Sequence, residues 1–273
     1  MPVKILAFDL DYTLIDSKKN IPPENIEALR YAASRGAYIV PATGRIYQGI
    51  PEELRTLPFM RYYLTANGSY IYDAAEDRAA ARAEIPLEQA IGFLSCCDTL
   101  DLLYDCYLDN WGYMSEDMLE TIPRTITDAG VKKLIETLRT PVPELKAFLR
   151  EKGMDVQKLQ LYFRDLALRA RLMEELPRRF PDLAFSSSMP FNIEVNSPDA
   201  TKGCALLKLC SLLGVDPGDT MALGDGTNDL DMIRKAGIGV AMANGDPSVR
   251  AAADYVTESC NDGGFANAVK KFC

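Results

Sequence analysis

The stretch Val3-Lys4-Ile5-Leu6-Ala7-Phe8, followed at once by Asp9-Leu10-Asp11, decides the fold. A short apolar run rich in β-favouring residues and ending abruptly at an acid suits a fully buried parallel strand. Its early acid and lack of a small-residue cleavage site make it a strand and not a signal peptide. Outward from this strand, residues 23–35 start with Pro23, carry Glu24 in the first turn and meet Gly36 just past the end. Those are helix start and stop signals. Residues 37–41 form the next strand, leading through Ala42-Thr43-Gly44-Arg45 into an expected second helix. Such alternation predicts an α/β fold, a Rossmann-like parallel-sheet core.

The same reading continues along the chain. Asn67-Gly68 between the β-rich runs of residues 61–73 signals a hairpin. The last third resumes the alternation. It reads as a helix over 201–213 stopped by Gly214, a strand over 220–223, a loop over 224–228, a helix over 229–235, a strand over 238–241, a helix over 247–253 and a final strand at 255–256. Between lies another pattern. Helices at about 86–97, 127–139, 142–152 and 165–180 intersperse with strands at about 102–108, 111–114, 157–164 and 183–195, and Thr140-Pro141-Val142-Pro143 reads as a turn. The expected organisation is an α/β core of residues 1–83 plus 189–273, with an α+β cap domain of residues 84–188 inserted in it.

Composition narrows the chemistry. The 273 residues include no histidine, which excludes Ser-His-Asp and Cys-His catalysis, His-ligated zinc and phosphohistidine chemistry. A net charge of −9 argues against nucleic acid and anionic membranes as partners. The seven cysteines form no CxxC pair and read as reduced thiols of a cytoplasmic protein. No apolar run approaches the ~20 residues that span a bilayer.

Four places carry candidate chemistry. Asp9 and Asp11 follow the first strand, where ligands of open α/β sheets bind, and alternate residues of extended chain point the same way. Two such carboxylates repel unless a cation or a shared proton relieves them, so the pair suggests a metal site, an acid–base pair or both; a lone Asp there would merely cap a turn. Gly224-Asp225-Gly226-Thr227-Asn228-Asp229 follows another apolar strand. Its carboxylates suit a hard ion such as Mg²⁺ and the helix start after it suits a phosphate, although an Asp-Gly turn with an Asn or Asp cap has the same spelling. Thr43, before Gly44, is either a phosphate ligand or an N-cap. Lys202 opens a helix, where a cation is disfavoured by the dipole, so either an anion compensates it or it is a solvated surface lysine.

Together, Asp9-Leu10-Asp11-Tyr12-Thr13-Leu14, Thr43 in Ala-Thr-Gly-Arg, Lys202 and Gly-Asp225-Gly-Thr-Asn228-Asp229 resemble, in order and spacing, the four motifs of the haloacid dehalogenase (HAD) superfamily. The Asn67-Gly68 hairpin, the large insertion and the tail Asn261-Asp262-Gly263-Gly264 resemble its Cof-type branch of phosphatases with a type II (IIB-like) cap. The resemblance implies a Mg²⁺-dependent hydrolase of a small phosphorylated metabolite, a sugar phosphate or similar. It implies Asp9 as nucleophile, forming an aspartyl-phosphate, and Asp11 as acid and then base. Thr43, Gly44, Lys202 and Asn228 would bind phosphate. The metal-binding set would be Asp9, Asp11 through its carbonyl, Asp225 and Asp229. Phosphomutase-type transfer and a catalytically silent binding module are the alternative readings. One residue departs from the pattern: the family usually has Gly where this chain has Tyr12, which implies either altered access to the cleft or harmless packing of the phenol.

Overall fold

In the computed structural model, residues 3–126 and 129–273 are described. They form two compact units, Met1–Gly44 with Pro51–Ala81 and Thr201–Cys273, and Arg45–Ile50 with Arg82–Ala200.

The first unit is built on a five-stranded parallel sheet in the spatial order Tyr255–Thr257, Ile238–Met242, Thr220–Gly224, Ile5–Phe8, Tyr38–Pro41. Ile5–Phe8 is an interior strand and wholly buried, because strands flank it on both sides and helices cover parallel sheets on both faces. Helix Pro23–Ser34 buries Asn25, Ala28, Leu29 and Ala32, one face at helical spacing, and the chain turns at Gly36 with φ 88°. Helix Lys202–Leu213 begins at Thr201, whose hydroxyl accepts from the Cys204 N–H, and stops at left-handed Gly214. The expected hairpin is present: Tyr62–Thr65 pairs antiparallel with Tyr70–Asp73 in a three-stranded sheet completed by Arg78–Arg82. Its tip holds Ala66, Asn67 and Gly68 at φ 48°, 63° and 96°. A Cβ on Gly68 would stand 2.4 Å from the Thr201 carbonyl oxygen, so only glycine allows that approach.

The second unit carries a six-stranded sheet ordered Ala184–Ser186, Asn192–Asn196, Lys158–Tyr162, Leu103–Leu108, Trp111–Ser115, Arg139–Val142. Alternation splits its faces. Tyr104, Cys106, Leu108, Leu159, Leu161, Ile193 and Val195 join one apolar core with helices Leu87–Cys97, Leu145–Lys152 and Leu166–Arg179. Asp105, Tyr107, Lys158, Gln160, Tyr162, Asn192 and Glu194 alternate with those residues and are buried as well.

Three sequence expectations are corrected here. No helix follows Gly44-Arg45: Ile46 is extended, a single 3₁₀ turn spans Tyr47–Gly49, and the next helix is the four-residue Glu52–Arg55 that begins after Pro51. Thr43 is therefore not an N-cap. The strand expected over 183–195 is two antiparallel strands, Ala184–Ser186 and Asn192–Asn196. Between them the Asn192 side chain accepts from the N–H groups of Ser188 and Met189 and closes the turn. The Pro-rich segment read as a turn is the edge strand Arg139–Val142, parallel to Trp111–Ser115; an edge tolerates Pro141 because one side of it needs no ladder bonds. The helix expected over 127–139 is present as Ala129–Leu138, and its first two expected residues lie outside the described ones. A helix Glu116–Thr125, not anticipated, precedes it.

Candidate active site

Three neighbouring strands of the first unit deliver the site. The Asp9 N–H donates to the Leu223 carbonyl (2.9 Å) and the Ala42 N–H to that of Phe8 (2.7 Å), so Asp9 leaves the sheet between the ends of its two neighbours. Asp225 follows the Thr220–Gly224 strand and Thr43 lies two residues past Tyr38–Pro41. Placement at carboxyl ends of parallel strands is where such sheets bind ligands.

Lys202 gathers the acids. Its Nζ donates to Asp9 Oδ1 and to Asp229 Oδ1, each at 2.5 Å, and its side chain is fully buried. The anions that compensate this helix-opening cation are the protein's own carboxylates, so the solvated-lysine alternative falls. The other oxygen of Asp229 accepts from the N–H groups of Asp225 and Gly226, both at 2.9 Å. A Cβ on Gly224 would lie 2.4 Å from that of Asp229, so glycine lets the loop close on this acid. Asp225 accepts from the Thr13 hydroxyl at 2.9 Å. One oxygen each of Asp9, Asp225 and Asp229 lie within 4.8 Å of one another.

The electrostatics follow from burial. Desolvation drives the Asp9 carboxyl well above its ordinary value; Lys202 opposes the shift, and Asp229, Asp225 and Asp11 add to it. Burial, with the charge of Asp229, pushes Asp225 up to about 6. Burial would pull the Lys202 ammonium down, but Asp229 and Asp9 outweigh it and hold it above its ordinary value. Three acids thus share one lysine. An oxygen-only donor set with excess negative charge is what a hard cation such as Mg²⁺ requires.

Asn228 donates to the Asn67 side chain at 3.3 Å, the Asn67 N–H donates to the Thr43 carbonyl, and the Thr43 N–H donates to that of Leu64. Asn67 was legible only as a turn residue, yet its buried amide joins the Thr43 strand end to the Asp225 loop. Thr13 was seen only as part of a motif and proves to be the partner of Asp225. The charge of Asp11 acts on Asp9 and Asp225, and its Oδ1 lies 3.1 Å from Lys19 Nζ. Tyr12 has φ 61°, the left-handed region that favours glycine, which gives a physical reason for the glycine usual there. Gly44 ends the first unit's opening segment.

Strand-end carboxylates thus gather around a buried lysine, and comparison with known proteins gives the family. Residues 6–269 match the model of the haloacid dehalogenase-like hydrolases. The chain belongs to that family, in its Cof-type branch, and is an enzyme of the phosphoric monoester hydrolase class. It is 30% identical to the 5-amino-6-(5-phospho-D-ribitylamino)uracil phosphatase YcsE of Bacillus subtilis, over 98% of this chain and 95% of that one. Among solved structures it resembles a haloacid dehalogenase-like hydrolase from Bacteroides thetaiotaomicron, with a TM-score of 0.83, 27% identity and 99% of each chain covered. It also resembles a HAD subclass IIB sugar phosphatase, with a TM-score of 0.81, 25% identity and 98% of each chain covered. No helix among the described residues is long and apolar enough to cross a membrane.

Proposed function

We propose that the chain is a Mg²⁺-dependent phosphatase of a small phosphorylated metabolite, a sugar phosphate or phosphorylated sugar alcohol, acting through an aspartyl-phosphate on Asp9. The observation that carries this is Asp9 itself: a buried carboxylate at the end of an interior strand, 2.5 Å from Lys202 and grouped with Asp225 and Asp229. Asp9 attacks phosphorus, and Asp11 protonates the leaving alcohol and then activates the water that hydrolyses the acyl phosphate. Lys202, Thr43, Gly44 and Asn228 hold the phosphoryl oxygens. Asp9, the Asp11 carbonyl and Asp225 would hold the metal, while Asp229, engaged with Lys202 and two amides, fixes their positions. When bound, the ion supplies charge screening between carboxylate and phosphate.

We assign the choice of leaving group to the cap expected over residues 84–188, which falls within the second unit. The names of YcsE and of the subclass IIB sugar phosphatase support a hydroxyl-rich leaving group. All seven cysteines are free, which supports a cytoplasmic setting. The test is release of inorganic phosphate from a panel of phosphorylated sugars and sugar alcohols, with Mg²⁺, with EDTA and with Asp9→Asn. Release only by the wild type with Mg²⁺ is expected; release that persists in EDTA or in Asp9→Asn contradicts the proposal.

A further inference from the structure

Within the loop that follows Asp9, Tyr12 and Lys19 take φ 61° and 68°. Bulky L-residues avoid this region, and such outliers persist where surrounding structure over-determines them, above all at functional sites. Here the determinants are visible. The Asn244 amide donates to the Tyr12 carbonyl (2.9 Å), and its oxygen accepts from the Cys260 N–H (2.8 Å). Lys19 N–H donates to the Asp16 carbonyl (3.1 Å), while the Asp16 carboxylate accepts from Lys18 and Asn20 N–H groups (2.9 and 2.8 Å). Ser17 donates through its N–H and hydroxyl to the Asn261 side chain (3.1 and 2.9 Å).

The product of this bracing is one arrangement. Lys19 Nζ lies 3.1 Å from Asp11 Oδ1 and 4.3 Å from the centre of the Tyr12 ring. The side chains of Lys19 and Asp11 are both partly exposed, and an exposed ion pair contributes little to stability. Stability alone therefore does not account for two strained residues that meet at one ammonium beside a carboxylate. Glycine at position 12 would relieve the backbone but remove the ring on which the ammonium rests.

We propose that Lys19, seated on the Tyr12 ring, is a positioning residue that orients the Asp11 carboxyl for the leaving group, a role that rests on the phosphatase reading above. In the first step the bond from the Asp9 carboxylate oxygen to phosphorus forms, the bond from phosphorus to the leaving oxygen breaks, and Asp11, protonated on Oδ2 while Lys19 holds Oδ1, passes that proton to the leaving oxygen. An alkyl alcohol is a poor leaving group without this proton. p-Nitrophenolate departs without it. Misplacing Asp11 therefore damages alkyl esters selectively.

The test compares kcat on p-nitrophenyl phosphate with kcat on the best alkyl phosphate of the panel. Lys19→Met lowers the alkyl-to-aryl ratio by about tenfold, chiefly through kcat and not KM, and Lys19→Arg recovers it. Tyr12→Ala moves the ratio in the same direction by a smaller factor. A Lys19→Met variant that keeps the wild-type ratio, whether both rates fall together or neither changes, overturns the role. A wild type that releases phosphate from neither ester overturns the phosphatase reading itself, an outcome distinct from an unshifted ratio.

Discussion

Each unit buries charge, and the two do so differently. In the second unit the charges match: Arg139 donates to Asp105 at 2.6 Å and Lys158 to Glu194 at 3.1 Å. Tyr162 and Tyr107 complete the arrangement, the first donating to Asp105 and the second accepting from Arg139. Both cations also lie over the Tyr107 ring, at 4.5 and 4.4 Å. Burial would pull the Lys158 ammonium down, but Glu194 and Tyr107 hold it above its ordinary value. In the first unit Asp9, Asp225 and Asp229 face the single ammonium of Lys202. The first pattern is neutral as it stands. The second carries excess negative charge, so its acids resist ionisation until a further cation arrives. Matched burial marks architecture; mismatched burial marks a place built to receive something.

The largest expected effect comes from breaking the mismatched cluster at its only lysine. Lys202→Met lowers phosphate release at least about 10³-fold in steady-state assays, because a preorganised cation aimed at the reacting charge is lost. Next are the matched pairs. Arg139→Met lowers unfolding free energy by about 3–5 kcal/mol, read by chemical denaturation, since Asp105 is left buried without its cation. Adding Asp105→Leu recovers most of that loss, as a neutral pair can be replaced by apolar groups. Adding Asp229→Leu to Lys202→Met gives no comparable recovery of unfolding free energy, because Asp9 and Asp225 are left without a cation.

A smaller effect has the opposite sign. The Asp225 carboxyl is raised to about 6 in the fold, above its unfolded value, so its ionised form is disfavoured in the native state. The cost is absent below about pH 4, grows as pH rises towards 6 and is fully present above it. Without metal at pH 7.5, Asp225→Asn therefore melts above the wild type by about 2–4 °C for each kcal/mol relieved, and the gap closes near pH 4. Mg²⁺ raises the wild-type Tm and much less that of the variant. A variant that melts below the wild type at pH 7.5 would remove the mismatch argument.

How far this was legible in the sequence depends on the range of the interactions. Ile5–Phe8 could be read because a fully buried parallel strand is apolar at every position, and Asp9 because an acid ends it abruptly. Lys202 stood out as a charge on the wrong end of a helix; what it paired with lay 193 and 27 residues away and was not readable. The helix expected after Thr43 failed because Gly44-Arg45 resembles a helix start while the Ile46 backbone stays extended. Pro141 concealed a strand because an edge position cannot be recognised before the sheet order is known. Asn67 showed its turn geometry but not its bond to Asn228, which only the folded chain brings within reach.

The central claim is that Asp9 forms a covalent bond to phosphorus, and trapping tests it most directly. The enzyme, turning over a radiolabelled phosphorylated sugar with Mg²⁺, is quenched in acid and its peptides are mapped by mass spectrometry. One phosphoryl group on the peptide containing Asp9, absent in Asp9→Asn, is the predicted result. Full phosphate release with label on another residue, or with none on the protein at any point of turnover, would contradict it.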